Sequence, residues 1–165
     1  MKIAVYPGSF DPVTKGHLYV MERSAKMFDH VIVAVLVNVK KTPFFSVEER
    51  MQFIRQSVAH LENVSVDFFS GLLVHYLQEK KAQFIIRGLR FVSDLETELQ
   101  MASMNKDLLP EAETIFIPTH HEYSYISSSI VKEVARLGGD IQRFVPEQVF
   151  HAFTARYQGD HGWQK

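Results

Sequence analysis

The sequence predicts an α/β fold: a single-domain, Rossmann-like open parallel sheet of five strands with helices on both faces. Three observations support this prediction. Short apolar runs rich in β-branched residues alternate with segments of helical spacing. The second run, residues 31–37, is apolar without interruption, which is typical of a parallel strand covered by helices on both sides. A chain of 165 residues suffices for one buried core and is too short for two ordinary domains.

The predicted elements alternate in order along the chain. The strands are expected at 2–6, 30–37, 64–68, 83–87 and 114–117. The helices are expected at about 16–28, 47–59, 72–80, 94–108, 128–137 and 146–157. Capping boxes, Ser46 with Glu49 and Ser93 with Glu96, are predicted to start the second and fourth helices, and Gly138-Gly139 to end the fifth. The domain is therefore expected to span 1–157, with a loose tail at 158–165.

Composition excludes several classes of function. Lys and Arg total 18 against 19 Asp and Glu, so no global basic field attracts nucleic acid or an anionic membrane. Without cysteine there are no disulfides, thiolate metal sites or cysteine nucleophiles. No apolar run approaches the roughly 20 residues of a membrane-spanning helix, and no signal-type segment is seen. We therefore expect a cytoplasmic protein with no nucleic-acid and no membrane partner.

In a doubly wound sheet, ligands bind beyond the carboxyl ends of the strands, so the segments after the strands should form the site. The first of these runs from Gly8 to His17 at a helix start. Gly8 allows close backbone approach, Ser9 offers a hydroxyl, and helix amides favour phosphate. A turn rich in Gly and Pro with a histidine on a helix face would give the same local pattern.

Cationic side chains follow the second and fourth strands. Lys41 at such an edge can reach a phosphate as a point charge, although a loop lysine is more often solvated surface. Arg87 and Arg90 suit bidentate phosphate binding, and the structural alternative is an ion pair with Glu96 or Glu98.

The segments after the third and fifth strands carry mostly uncharged groups. Leu73 either packs on the sheet or lines a pocket for a small organic acceptor. The serines 127–129 cap a helix, form an anion site, or do both. His120 and His121 are expected to point in different directions and to be a surface feature rather than a metal site.

The longer strings resemble one enzyme family. Gly8-Ser9-Phe10-Asp11-Pro12 with Gly16-His17 resembles the GxFDPxxxGH signature of the nucleotidyltransferase superfamily. With RGLR at 87–90, YSYISSSIVKEVA at 123–135, SVEER at 46–50 and MNK at 104–106, the chain resembles the bacterial phosphopantetheine adenylyltransferases from residue 2 to about residue 153. Related cytidylyltransferases usually end in RTxGISTT and mononucleotide adenylyltransferases in ISSTxxR, whereas ISSSIVK stands here at 126–132.

The resemblance implies a reaction: reversible transfer of the adenylyl group of ATP to 4'-phosphopantetheine, giving dephospho-coenzyme A and pyrophosphate in the penultimate step of coenzyme A biosynthesis. It also implies Mg²⁺ held mainly through ATP phosphates and water, with no protein ligand, and a homohexamer inhibited by coenzyme A. It places ATP against Ser9, Phe10, His17, Gly88, Leu89, Arg90, Glu98, Tyr123, Ser124, Tyr125, Ile126, Ser127, Ser128 and Ser129. It places phosphopantetheine against Ser9, Lys41, Leu73 and Arg87.

The implied chemistry is in-line attack of the acceptor phosphate on the α-phosphorus of ATP. His17 is expected to stabilise the transition state by donating to an α-phosphate oxygen, and Lys41 to orient the incoming phosphate. Because that phosphate has a second pKa of about 6, it needs no catalytic base at neutral pH. Two alternatives stay open: a nucleotidyltransferase with another phosphate acceptor, such as a mononucleotide or polyol phosphate, and a non-catalytic nucleotide-binding domain. A receiver domain is disfavoured because its acidic cluster is missing.

Overall fold

A computed structural model of the chain describes residues 1–38 and 40–158. Strands and helices alternate as predicted within these residues. They are β1 (Ile3–Gly8), α1 (Lys15–Ala25), β2 (His30–Leu36), α2 (Val47–Ser57), β3 (Val64–Phe69), α3 (Leu73–Lys80), β4 (Phe84–Leu89), α4 (Val92–Leu108), β5 (Glu113–Pro118), α5 (Ser128–Arg136) and α6 (Glu147–Gln158). Of the predicted tail, 159–165 lies outside the described residues, while Gln158 is the last residue of α6.

The strands form one parallel sheet of five in the order β3-β2-β1-β4-β5, which confirms the predicted fold class. The order reverses between β1 and β4, because β2 and β3 extend the sheet on one side and β4 and β5 on the other. A crevice opens at such a reversal, since the connections on its two sides cross opposite faces of the sheet. The fold therefore places the segments after β1 and β4 side by side.

Helices cover both faces of the sheet, and each face has its own core. Ala4 and Tyr6 of β1 point to a larger core, to which α1, α2, α5 and α6 contribute. Val5 points the other way, to a smaller core that it shares with α3. This alternation follows from the two-residue period of a strand. The uninterrupted apolar sequence of β2 is explained by burial on both faces.

One of the two predicted capping boxes is confirmed. Ser46 and Glu49 cap α2 reciprocally, each side chain bonding the other's backbone N–H. The box predicted at Ser93 is wrong, because α4 begins at Val92 after an extended Phe91 and has no side-chain cap. Ser93 already lies inside the first turn, whereas a capping residue needs extended backbone.

The end of α5 follows the prediction. Gly138 adopts a φ of +82°, in the left-handed region that side chains other than glycine rarely occupy. A Cβ at Gly139 would lie 2.5 Å from a methyl carbon of Val134, so both glycines are needed where the chain leaves the helix.

Helix α4 differs from the other helices because none of its residues is buried. Four large apolar side chains on it are about half exposed: Leu99, Met101, Met104 and Leu108. An apolar surface of this kind on a helix marks an interaction face more often than a solvated one. Within the part of the chain that the structure covers, no helix combines the length and apolarity needed to cross a membrane.

Candidate active site

A cavity of about 500 Å³ opens where the strand order reverses; we call it the switch-point cavity. Its walls come from the turn after β1, the start of α1, the end of β4, the first turns of α4 and the start of α5. A neighbouring cavity of about 410 Å³ is lined by residues of all five strands and of α3 and α4. The two cavities share Pro7, Gly8, Arg87 and Glu98 in their walls, so they meet along the end of β1.

His17 lies on α1 at the wall of the switch-point cavity. Its Nδ1 accepts a hydrogen bond from the backbone N–H of Thr14 at 3.0 Å, and its backbone N–H donates back to the Thr14 hydroxyl. This is a capping box with histidine in the place of the usual Glu or Gln. Because Nδ1 accepts, the proton of the neutral ring sits on Nε2, which is left as a donor.

The charge state of His17 follows from its surroundings. Burial of the ring, followed by the guanidinium groups of Arg90 and Arg87, lowers the pKa of His17 from 6.5 to about 4. The imidazole is therefore neutral at pH 7 and can act as a hydrogen-bond donor through Nε2. Phe10 packs edge-to-face on the ring with centroids 5.1 Å apart, which restrains its orientation.

Arg87 leaves β4 at the boundary between the two cavities. Its Nε and Nη2 each donate to one carboxylate oxygen of Glu98 at 2.7 Å, and Nη1 donates to the carbonyl of Pro7 at 3.2 Å. The hydrogen bonds to Glu98 raise the pKa of Arg87. Of the two partners that the sequence allowed, the structure selects Glu98. The bidentate pair holds the guanidinium at the edge of both cavities, in the planar arrangement that a phosphate can also bind.

Arg90 has a looser partner. Its Nε lies 3.4 Å from a carboxylate oxygen of Asp94, one turn further along, and both side chains are about one-third exposed. An exposed pair of this geometry contributes little stability, on the order of 1 kcal/mol or less. The guanidinium can therefore exchange this carboxylate for a ligand phosphate at low cost.

Two of the three serines at the start of α5 make different hydrogen bonds in the fold. The hydroxyl of Ser127 accepts from the backbone N–H of Ile130 and caps the helix. The hydroxyl of Ser128 donates to the carbonyl of Pro12 at 2.7 Å and ties α5 to the turn after β1. Ser129 is exposed, and all three serines line the cavity. The capping interpretation is confirmed for Ser127, and the helix amides remain directed at the same space.

The structure brings together most of the residues predicted to contact ATP. The switch-point cavity is lined by Phe10, His17, Gly88, Arg90, Glu98, Tyr123, Ile126, Ser127, Ser128 and Ser129. Four predicted ATP residues are not in its wall: Ser9, Leu89, Ser124 and Tyr125. Of the predicted acceptor residues, the neighbouring cavity is lined by Ser9, Leu73 and Arg87. Lys41 is exposed and lines neither cavity.

Sequence reasoning missed several lining residues. Thr14 and Thr97 face the switch-point cavity, and Met101 and Asn105 face the neighbouring one. The last three are four residues apart on α4, which places them on one face of the helix. The four-residue spacing on α4 could have indicated a common lining face. The three-residue separation of Thr14 from His17 could have indicated a capping box, although histidine is an unusual partner in one.

The expectation that His120 and His121 point apart is wrong. Their rings lie 4.2 Å apart between centroids, and with Glu122 they place one ligand atom each within 4.8 Å of one another. The reason is that residues 121–125 form turns, so the alternation of side chains along an extended strand does not apply. The imidazole Nδ1 of His120 is 3.4 Å from the backbone nitrogen of Glu122, which donates to it.

The fold and the cavities together define a class: a doubly wound α/β domain with an arginine-containing cavity at its topological switch point and a second cavity beside it. The comparisons with known proteins agree with this class. The model of the family described as cytidylyltransferase-like matches residues 5–134. A solved structure from Vibrio parahaemolyticus, provisionally named a nicotinate-nucleotide adenylyltransferase, superposes with a TM-score of 0.68 at 18% identity, covering 93% of this chain and 99% of that one. At that identity the likeness shows the fold alone.

Closer relatives narrow the class. A phosphopantetheine adenylyltransferase of Heliobacterium modesticaldum is 52% identical, covering 95% of this chain and 94% of the relative. One from Alkaliphilus oremlandii is 54% identical, covering 95% of this chain and 100% of the relative. The chain belongs to the phosphopantetheine adenylyltransferase family, within the cytidylyltransferase-like proteins.

Proposed function

We propose that the protein transfers the adenylyl group of ATP to 4'-phosphopantetheine, giving dephospho-coenzyme A and pyrophosphate. The observation that carries this proposal is the meeting of two cavities at the Arg87–Glu98 pair, beside a histidine whose proton is on Nε2. The switch-point cavity offers arginines and helix amides to a triphosphate. The neighbouring cavity offers the side chains of Leu73, Met101 and Asn105 to a slender organic acceptor.

In the proposed reaction, an oxygen of the acceptor phosphate attacks the α-phosphorus, and the bond to the bridging oxygen breaks with its electron pair leaving on pyrophosphate. The acceptor is already ionised, so the chain must align two anions and stabilise the added charge. His17 donates from Nε2 to a non-bridging α-phosphate oxygen, as a neutral group. Arg90 and the amides at the start of α5 bind the departing phosphates, and Arg87 and Lys41 bind the acceptor phosphate.

Arg87 has a place in both halves of this site. Because it is paired with Glu98 on two hydrogen bonds, it stays ordered before substrates arrive. We propose that acceptor phosphate replaces or shares these bonds, so that Glu98 keeps the guanidinium in position without competing for it in the complex.

We include Mg²⁺ as a cofactor that accompanies ATP. The carboxylates in the wall of the switch-point cavity are Asp94 and Glu98, and each is paired with an arginine. This donor set fits a cation held by phosphate oxygens and water, which is how Mg²⁺ usually binds in nucleotide sites. When bound, the ion neutralises charge on the phosphates. The chain's own part is to hold Arg90 and Ser129 where those phosphates lie.

We also propose a cytoplasmic homohexamer with no nucleic-acid or membrane partner. Support for assembly comes from α4, whose Leu99, Met101, Met104 and Leu108 stay half exposed in the single chain. Support for the compartment is the absence of cysteine from the sequence, and support for the partners is a net charge of −1. Light scattering of the wild type and of Leu99→Glu tests the assembly: one larger species is expected for the wild type and smaller species for the variant.

The reaction is tested by mass spectrometry of the purified protein with ATP, Mg²⁺ and 4'-phosphopantetheine. Nicotinamide mononucleotide and glycerol 3-phosphate serve as parallel acceptors. The expected result is dephospho-coenzyme A with stoichiometric pyrophosphate. Adenylylation of only another acceptor would reassign the neighbouring cavity, and no product from any acceptor would favour a nucleotide-binding domain without catalysis.

A further inference from the structure

Asp11 is a buried carboxylate that lies in neither cavity and that the proposed mechanism does not use. Only 8% of its surface is exposed. One oxygen accepts from the backbone N–H of Phe44 at 2.8 Å, and the other accepts from that of Phe45 at 2.8 Å. The ammonium of Lys132 lies 3.4 Å from Oδ2, the same oxygen that accepts from the N–H of Phe44. Both oxygens are therefore engaged by donors from elsewhere in the chain.

These donors come from two different segments of the chain. Phe44 and Phe45 lie in the lysine loop, which we define as residues 40–46 and which carries Lys41. Lys132 lies on α5, just after the serines of the switch-point cavity. Asp11 itself is in the turn after β1, between Ser9 and His17. One carboxylate thus joins the acceptor side, the ATP side and the turn between them.

Hydrogen bonds to the residues on either side of Asp11 restrict the backbone of the same turn. Arg50, 3% exposed, donates to the carbonyl of Ser9 at 2.8 Å. Ser128 donates to the carbonyl of Pro12. Because the turn is bonded on both sides of Asp11, displacement of the carboxylate is transmitted to the lysine loop instead of being absorbed by the turn.

Lys41 depends on this arrangement more than the other cationic groups do. Arg87 and Arg90 each have a carboxylate partner in the cavity walls, whereas Lys41 is exposed and lines neither cavity. The position of its ammonium is therefore set by the backbone of the lysine loop, which Asp11 fastens at Phe44 and Phe45.

We propose that Asp11 is a positioning residue, which sets the distance between the lysine loop and the start of α5 and so places Lys41 for the incoming phosphate. The proposal rests on the proposed adenylyl transfer. Asp11 acts through Lys41 and Lys132 and touches no reacting atom. A purely structural carboxylate would contribute to folding without any link to Lys41, and the test separates these two roles.

The test compares Asp11→Asn with a matched control, Asp67→Asn. Asp67 on β3 also accepts from a backbone N–H and a lysine, namely Phe68 and Lys80, and lines neither cavity. Asp11→Asn presents an amide N–H to one of the two backbone donors. We expect kcat/KM for 4'-phosphopantetheine to fall by up to about tenfold, no more than on removal of Lys41 itself, with the Kd of ATP changed less than about threefold. Asp67→Asn should leave both constants unchanged.

A double-mutant cycle with Lys41→Ala separates the two roles. A purely structural Asp11 would cause the same loss of kcat/KM whether or not Lys41 is present. If Asp11 acts by placing Lys41, Asp11→Asn should lower kcat/KM for the acceptor by less than about threefold in the Lys41→Ala background. An equal loss in both backgrounds overturns the proposal. If Asp11→Asn does not fold by circular dichroism, Lys132→Met is used in its place, because it breaks only the contact of Asp11 with α5. The loss of kcat/KM that Lys132→Met causes should then vanish in the Lys41→Ala background. A wild type that makes no dephospho-coenzyme A would refute the proposed function instead.

Discussion

The two cavities are organised differently. In the switch-point cavity, the three basic side chains of the wall are already held by the chain: His17 by Thr14, Arg87 by Glu98 and Arg90 by Asp94. The wall of the neighbouring cavity is mostly apolar apart from the shared Arg87–Glu98 pair, and the second cation proposed for the acceptor, Lys41, lines neither cavity and is held only through its loop. The difference indicates that the side proposed for the nucleotide is preorganised, whereas the side proposed for the acceptor combines an apolar wall with one exposed lysine outside it.

The strongest way to break this contrast is to remove the preorganised donor. His17→Ala should lower kcat about 100- to 1,000-fold, because one donor to the transition state is lost, while the Kd of ATP changes little. Steady-state kinetics and calorimetric ATP titration measure the two effects. His60→Ala is the control, since that histidine lies before β3, at the opposite end of the sheet, and should behave as wild type. Unchanged turnover in His17→Ala would refute the role of the ring.

Stability as a function of pH tests whether His17 is neutral. Its pKa is about 4 in the folded chain against 6.5 for a free histidine, so the unfolded state binds more protons between these values. The free energy of unfolding should therefore fall as pH drops from 6.5 to 4, by up to about 3 kcal/mol from this residue. Urea denaturation at a series of pH values should show a shallower dependence for His17→Gln. Parallel curves for the two proteins would mean that folding does not lower the pKa of the ring.

The acceptor side is probed by Lys41→Ala. We expect KM for 4'-phosphopantetheine to rise about tenfold, the effect of losing one exposed charge contact of roughly 1.4 kcal/mol, with the Kd of ATP unchanged. Lys26→Ala, an equally exposed lysine after α1, controls for a change in net charge. A selective loss of ATP affinity would assign Lys41 to the nucleotide and remove the contrast between the two sides.

The smallest effect concerns how His17 is held. Thr14→Val removes the hydroxyl of the capping box but keeps the backbone N–H that donates to Nδ1. We expect about 1 kcal/mol less stability and a fall in kcat of no more than about tenfold. Thr154→Val on α6, which also loses one hydroxyl bond, should leave kcat unchanged. If the two variants had the same kcat, the backbone N–H alone would be sufficient to orient the ring.

The amino-acid sequence determined the five strands, the order of the elements and several of the segments that line the two cavities, because apolar periodicity and turn residues are local properties. It left open whether Arg87 pairs with Glu96 or Glu98. It misplaced the cap of α4 and separated two histidines that a turn brings together. Such details depend on backbone conformation at single residues, to which residue type is a weak guide.

Only the tertiary structure decided which groups meet across long separations in the chain. Asp11 bonds the backbone at Phe44 and Phe45 and lies beside Lys132, and no pattern within a window of the sequence links these positions. The physical reason is that a parallel sheet places the ends of distant strands side by side, so contacts at the switch point are set by strand order. The sequence predicted ten of the residues that line the switch-point cavity, whereas their partners depended on the order β3-β2-β1-β4-β5.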